Sequence, residues 1–103
     1  MRLLSSAGLK AEPFSDPNKF LEYERIHRSP VAVIDVWMPL MNGLEVQSQL
    51  RAISPTTRVI MLTANDDPSL RATALDAGAS AFLIKPCNYE EFLATVRRAL
   101  FAA

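Results

Sequence analysis

Val31-Ala32-Val33-Ile34-Asp35-Val36-Trp37-Met38-Pro39-Leu40-Met41-Asn42-Gly43-Leu44-Glu45 is the stretch on which the fold turns. Its first four residues form a short apolar run, continuous rather than alternating. That is the pattern of a strand covered on both faces, as in a parallel sheet. The run stops at a carboxylate and breaks into a loop carrying Pro39, Asn42 and Gly43, which places Asp35 at the C-terminal edge of the strand. In open parallel sheets, ligands bind and chemistry occurs at that edge. Aspartate also starts turns and caps helices, so Asp35 alone is a weak signal.

Outward from this segment, strands and helices alternate. Gly43–Ile53 reads as a helix, with Val46, Leu50 and Ile53 at spacings of four and three. Ser54-Pro55 ends it. Arg58–Leu62 is a second continuous apolar strand closed by Thr63-Ala64. Asp66 or Asp67 caps the next helix, with Pro68 in its first turn and Gly78 past its end. Ala81–Ile84 is a short strand ended by Lys85-Pro86. Asn88, with Glu91 three residues on, forms an amide variant of a capping box. Phe92, Leu93, Val96 and Leu100 mark the buried stripe of a last helix. On the N-terminal side, Leu9–Phe14 reads as a strand with an edge-like end at Pro13. Ser15-Asp16-Pro17 starts a helix reaching about His27, with Phe20, Leu21, Tyr23 and Glu24 near one face. Met1–Ala7 reads as the last turns of a helix stopped by Gly8. This alternation predicts one α/β domain over residues 1–103, a three-layer α/β/α arrangement with right-handed crossovers.

Three successive strand ends bring Asp35, Thr63 and Lys85 to one edge of that sheet. A carboxylate is a nucleophile able to form an acyl phosphate. A hydroxyl hydrogen-bonds a phosphoryl oxygen, and a lysine supplies a balancing point charge. Holding a phosphoryl group is largely positioning and electrostatics, which suits this set. Taken singly, Thr63 reads as a turn residue and Lys85 as a solvated charge.

Met38-Pro39-x-Met41-x-Gly43-Leu44-Glu45 after Asp35, Thr63-Ala64, and Ala77-Gly78-Ala79-Ser80-Ala81-Phe82-Leu83-Ile84-Lys85-Pro86 together resemble the receiver domains of two-component response regulators. The resemblance covers essentially the whole chain. It implies a flavodoxin-like sheet with helices on both faces and a signalling, non-enzymatic role in the cytoplasm. Asp35 would accept a phosphoryl group from a sensor histidine kinase or a phosphotransfer protein. Thr63 would bind a phosphoryl oxygen and Lys85 the phosphoryl or the aspartate. Asp35 and the backbone carbonyl of Trp37 would contact Mg²⁺. Phe82 stands at the family's aromatic switch position, coupled to Thr63; plain core packing is the alternative. Lys85–Pro86 would be a cis bond. Asn65 stands where the family tunes phosphate lifetime, although an exposed loop amide explains it equally.

One part of the family pattern is missing. Receiver domains begin with a strand ending in an acidic pair that holds Mg²⁺, and no such pair precedes the first helix here. Mg²⁺ normally combines carboxylates, phosphate and waters in an octahedron, so metal affinity is expected to be weak. Capping is the better reading of Asp66 and Asp67. In the family's strand order 2-1-3-4-5 the missing first strand is central. The expectation is therefore a gap between Leu9–Phe14 and Val31–Asp35, filled either by relocation of the Leu9–Phe14 strand or by another chain. A homodimer is favoured.

Composition narrows the remaining classes. Eleven basic residues balance eleven acidic ones, leaving no broad charge footprint for nucleic acid or anionic membrane. No apolar stretch is long enough to span a bilayer. The single Cys87 forms no intramolecular disulfide and reads as a packing residue, while His27 reads as a helix-end cation. An aspartate-nucleophile phosphatase of the haloacid-dehalogenase type needs a second carboxylate two residues after the first, and that position is Trp37. A non-phosphorylated pseudo-receiver, acting purely in interaction or assembly, is the standing alternative because the acidic pair is missing.

Overall fold

β-branched and aliphatic runs build the parallel strands of the sheet, and amphipathic helices cover it. The computed structural model describes residues 2–7, 10–36, 40–64, 68–85 and 88–101. The elements are β1 (Arg2–Ala7), β2 (Lys10–Phe14), α1 (Pro17–His27), β3 (Val31–Val36), α2 (Leu40–Ile53), β4 (Arg58–Thr63), α3 (Pro68–Asp76), β5 (Ala81–Ile84) and α4 (Tyr89–Phe101). The strand order is β2-β1-β3-β4-β5.

β3, β4 and β5 are parallel neighbours, with Ile34 opposite Met61 and Met61 opposite Phe82. Side chains alternate across the sheet at period two. Ala32, Ile34, Val59, Met61 and Phe82 therefore meet Phe20 of α1, Val46 and Leu50 of α2 and Ala74 of α3 on one face. On the other face Val31, Val33 and Ile60 meet Phe92, Val96, Ala99 and Leu100 of α4. This is the three-layer arrangement read from the sequence, and the continuous apolar run of β3 is its buried centre.

Local chemistry sets the helix boundaries. Asp16 accepts from the Asn18 backbone N–H at 2.9 Å, with Pro17 in the first helical position, and Arg28 closes α1 in the left-handed conformation at φ 48°. Asn88 Oδ1 accepts from the Glu91 N–H at 2.7 Å and caps α4. α2 begins at Leu40, three residues before the expected Gly43. Gly78, at φ +105°, ends the α3 segment where Arg51 Nη1 donates to the Ala77 carbonyl at 3.0 Å. The expected caps Asp66 and Asp67 lie outside the described residues, as do Asn65 and Cys87.

The N-terminal expectation is corrected. Arg2–Ala7 is a strand, not the end of a helix, and it occupies the central slot itself. It runs antiparallel both to β2, with Ser5 opposite Glu12, and to β3, with Leu4 opposite Val33. The strand expected at Leu9–Phe14 does not relocate; it pairs outside β1. The gap that motivated a homodimer is thus closed from within the chain. Burial and pairing override weak strand propensity, since a slot between two strands would otherwise leave backbone donors and acceptors unpaired.

A buried polar hub holds β1 in place. Glu24 of α1 is fully buried. It accepts from Ser5 Oγ, from the Ser29 N–H at 3.0 Å and from Ser29 Oγ at 2.8 Å. Thr57 Oγ1 approaches at 3.5 Å and pairs with Ser54 Oγ at 2.6 Å. A buried carboxylate persists only when such donors replace its water.

Candidate functional site

Asp35 is the fifth residue of β3 and reaches the C-terminal edge of the sheet with its side chain 9% exposed. Lys85 follows β5, and its N–H donates to the Thr63 carbonyl at 2.8 Å, carrying the β4–β5 ladder one step past Ile84. This fixes the lysine backbone two strands from Asp35, a separation of about 10 Å at ordinary strand spacing. The long lysine stem crosses that gap, and Lys85 Nζ is ion-paired to Asp35 Oδ1. Lys85 is 29% exposed, so the pair sits at the rim of the interior.

Thr63 ends β4 opposite Val36, the residue after Asp35, and is 1% exposed. The three strand-end residues thus converge on one edge, two of them in direct contact. Phe82 points into the core beside Met61 and Ala74, and the Arg71 guanidinium lies 5.6 Å from its ring centroid. Trp37 and Pro86 lie outside the described residues, so neither the carbonyl ligand nor the cis bond expected there is placed.

Arg2 is the register partner of Asp35 on the β1 side. Among the described residues no group of three or more His, Cys, Asp or Glu side chains comes together. A hard divalent cation needs several oxygen donors. The described surroundings of Asp35 offer one carboxylate, already bound to an ammonium. They do not fit a resident Mg²⁺.

A family model described as the response regulator receiver domain matches residues 1–97. The chain belongs to that family. Receiver domains are signalling modules of two-component systems, and in general they bind Mg²⁺ at an acidic site. Response regulator MprA of Mycobacterium leprae (strain TN) is 41% identical over 99 residues, covering 96% of this chain and 43% of that protein. The chain therefore spans under half the length of the curated relatives it matches. The signal receiver domain of the response regulator NarL from Mycobacterium tuberculosis is 32% identical with a TM-score of 0.73, covering 85% of this chain and 71% of that one. Chemotaxis protein CheY4 of Vibrio cholerae is 31% identical at the same TM-score, covering 84% and 74%. The antiparallel β1 is how this chain completes the sheet. Among the described residues no helix is long and apolar enough to cross a membrane.

The residue that sequence reasoning undervalued is Glu24. Its placement four residues after Phe20 on the buried face of α1 was the available signal, since i and i+4 share a helical face.

Proposed function

We propose that this receiver domain accepts a phosphoryl group on Asp35 from the phosphohistidine of a sensor kinase or phosphotransfer protein, and relays the change through its partner-binding surface. The observation that carries this reading is the Asp35–Lys85 ion pair at the C-terminal edge of a parallel sheet. A carboxylate held there is oriented by its lysine partner at the edge of the sheet. In the transfer, an Asp35 oxygen forms the new P–O bond as the P–N bond of the phosphohistidine breaks, and the electron pair stays with the imidazole nitrogen. Lys85 has three N–H donors and follows the charge from the carboxylate to the phosphoryl oxygens. Thr63 supplies a hydroxyl to one of those oxygens. Phe82, packed inward, is the element that carries the change toward α3. Incubation with acetyl phosphate followed by peptide mass spectrometry tests the assignment: Asp35 gains one phosphoryl group, and Asp35→Asn gains none.

The second reading is a pseudo-receiver that binds partners without phosphorylation. It is favoured by the described surroundings of Asp35, which bring no second carboxylate to it, and by the arginine in backbone register with it. Beryllofluoride separates the two. A phosphoacceptor shifts the amide resonances of Thr63, Phe82 and Lys85, and a pure scaffold does not.

A further inference from the structure

Phe82 and Thr63 share a face of the sheet. Met61 and Thr63 are two residues apart on β4, as Phe82 and Ile84 are on β5, and the register sets Met61 opposite Phe82 and Thr63 opposite Ile84. Thr63 is therefore the diagonal neighbour of Phe82, at a separation of about 7–8 Å that an aromatic side chain spans. Both are nearly closed to solvent, Thr63 at 1% and Phe82 at 8% exposure. A displacement of Thr63 at the acceptor edge is thus made against the space that the Phe82 ring fills.

α3 covers this ring. The helix follows the end of β4 and precedes the start of β5, so its earlier residues lie nearer the acceptor edge. Ala74 is fully buried in the cluster that contains Phe82. Arg71 stands three residues before Ala74, on the same helical face and one turn nearer that edge. Its guanidinium carbon lies over the Phe82 ring, 5.6 Å from the centroid. That is inside the range of about 6 Å over which a cation is drawn to the face of an aromatic ring. Arg71 itself is exposed. Met61 and Ala74 pack around the ring from the sheet and the helix, and a cation covers it toward the acceptor edge.

We infer that Arg71 is a positioning residue of the acceptor site: its guanidinium holds the Phe82 ring inward and so sets how strongly a change at Asp35 and Thr63 is felt at α3. The inference rests on the reading of Asp35 as the phosphoacceptor. Two features select this role over that of a solvated surface charge. The cation lies over the ring, where the aromatic quadrupole is negative, and not at its positive edge. A guanidinium is also planar and weakly hydrated, so it stacks on an aromatic face at little desolvation cost, which an ammonium does not. The size of the effect is bounded. A group that favours one ring position by a given factor changes the affinity of a coupled site by no more than that factor.

Two measurements on the full chain test this, with Arg71→Met removing the cation but keeping the stem and Arg71→Lys keeping a charge that stacks less well. The first is the Phe82 χ1 rotamer population from NMR couplings, with no phosphate or beryllofluoride present. The ratio of inward to outward ring should fall about two- to fivefold in Arg71→Met, the worth of a cation–π contact at an exposed site, with Arg71→Lys in between. The second is beryllofluoride titration followed at Thr63 and Lys85. Arg71→Met should shift the affinity by up to the same factor, and in a Phe82→Leu background it should have no effect. Unchanged Phe82 rotamers, or an affinity shift of equal size with and without the ring, overturn the positioning role. A lower unfolding midpoint with rotamers and affinity as in wild type makes Arg71 merely structural and overturns it too. A wild-type chain that does not respond to beryllofluoride overturns the phosphoacceptor reading instead, and the rotamers then decide the Arg71–Phe82 contact by themselves.

Discussion

Lys85 Nζ is ion-paired to Asp35 Oδ1 across two strands of the sheet, and the Lys85 backbone is pinned by its N–H to the Thr63 carbonyl. The contact ties the ends of β3, β4 and β5 into one unit. It also gives the Asp35 carboxylate a cation at the edge of the sheet.

Replacing Lys85 by Met leaves a largely buried carboxylate without its counter-charge. Breaking a fully buried pair costs about 3–5 kcal/mol; at this rim position, with Lys85 29% exposed, a loss of about 1–2 kcal/mol is expected. Asp35→Asn in the same background restores part of it. A double-mutant cycle from urea unfolding checks this, and additive losses would show that the two residues do not interact.

Glu24→Ala strands the donors of Ser5, Ser29 and Thr57 in the interior. Each unsatisfied buried donor costs about 1–3 kcal/mol, so a loss of about 3 kcal/mol or more is expected. Ser5→Ala, which removes one donor from the hub, costs about 1 kcal/mol. The readout is a lower urea midpoint with an unchanged slope for both; near-wild-type stability of Glu24→Ala would contradict the hub.

Gly78→Ala forces a side chain into positive φ and brings its Cβ to 1.8 Å from Arg51 Nη1. Arg51 must swing away and give up the Ala77 carbonyl. The strain at such a backbone position is about 1–3 kcal/mol, and thermal unfolding measures it. Arg51→Ala in the same background relieves the clash but not the φ strain, so partial recovery is expected.

If β1 fills the central slot, its ladder amides exchange slowly. Hydrogen exchange on Leu4 and Ser6 should show protection comparable to that of Val33, and light scattering at micromolar concentration should give a monomer. Rapid exchange through Arg2–Ala7, as expected of a frayed terminal helix, would remove β1 from the sheet and restore the case for a second chain.

Where the sequence was legible, one physical signal dominated locally. Val31–Ile34 and Val59–Leu62 are too apolar to be solvated on either face, so strand, burial and edge position follow from composition alone. Asp16 and Asn88 cap because their side chains reach the next turn without help from the fold. Arg2–Ala7 was illegible for the opposite reason. Arg-Leu-Leu-Ser-Ser-Ala has no β-branched residue, and Gly8 mimics a helix stop. What makes the segment a strand is non-local: the open edge of β3, and a carboxylate nineteen residues away that satisfies Ser5. The Asp35–Lys85 convergence was readable because parallel strands deliver their ends to one edge. That an arginine stands in register with Asp35 was not, because it depends on the direction of β1.

The central claim, that Asp35 is the phosphoacceptor, is tested most directly by acetyl phosphate labelling of wild type, Asp35→Asn and Lys85→Met, with the modified residue located by mass spectrometry. The account predicts a single phosphoryl group on Asp35 in wild type, none in Asp35→Asn, and at least tenfold slower labelling in Lys85→Met. Labelling that persists in Asp35→Asn, or a wild-type chain that takes up no phosphate, would contradict it.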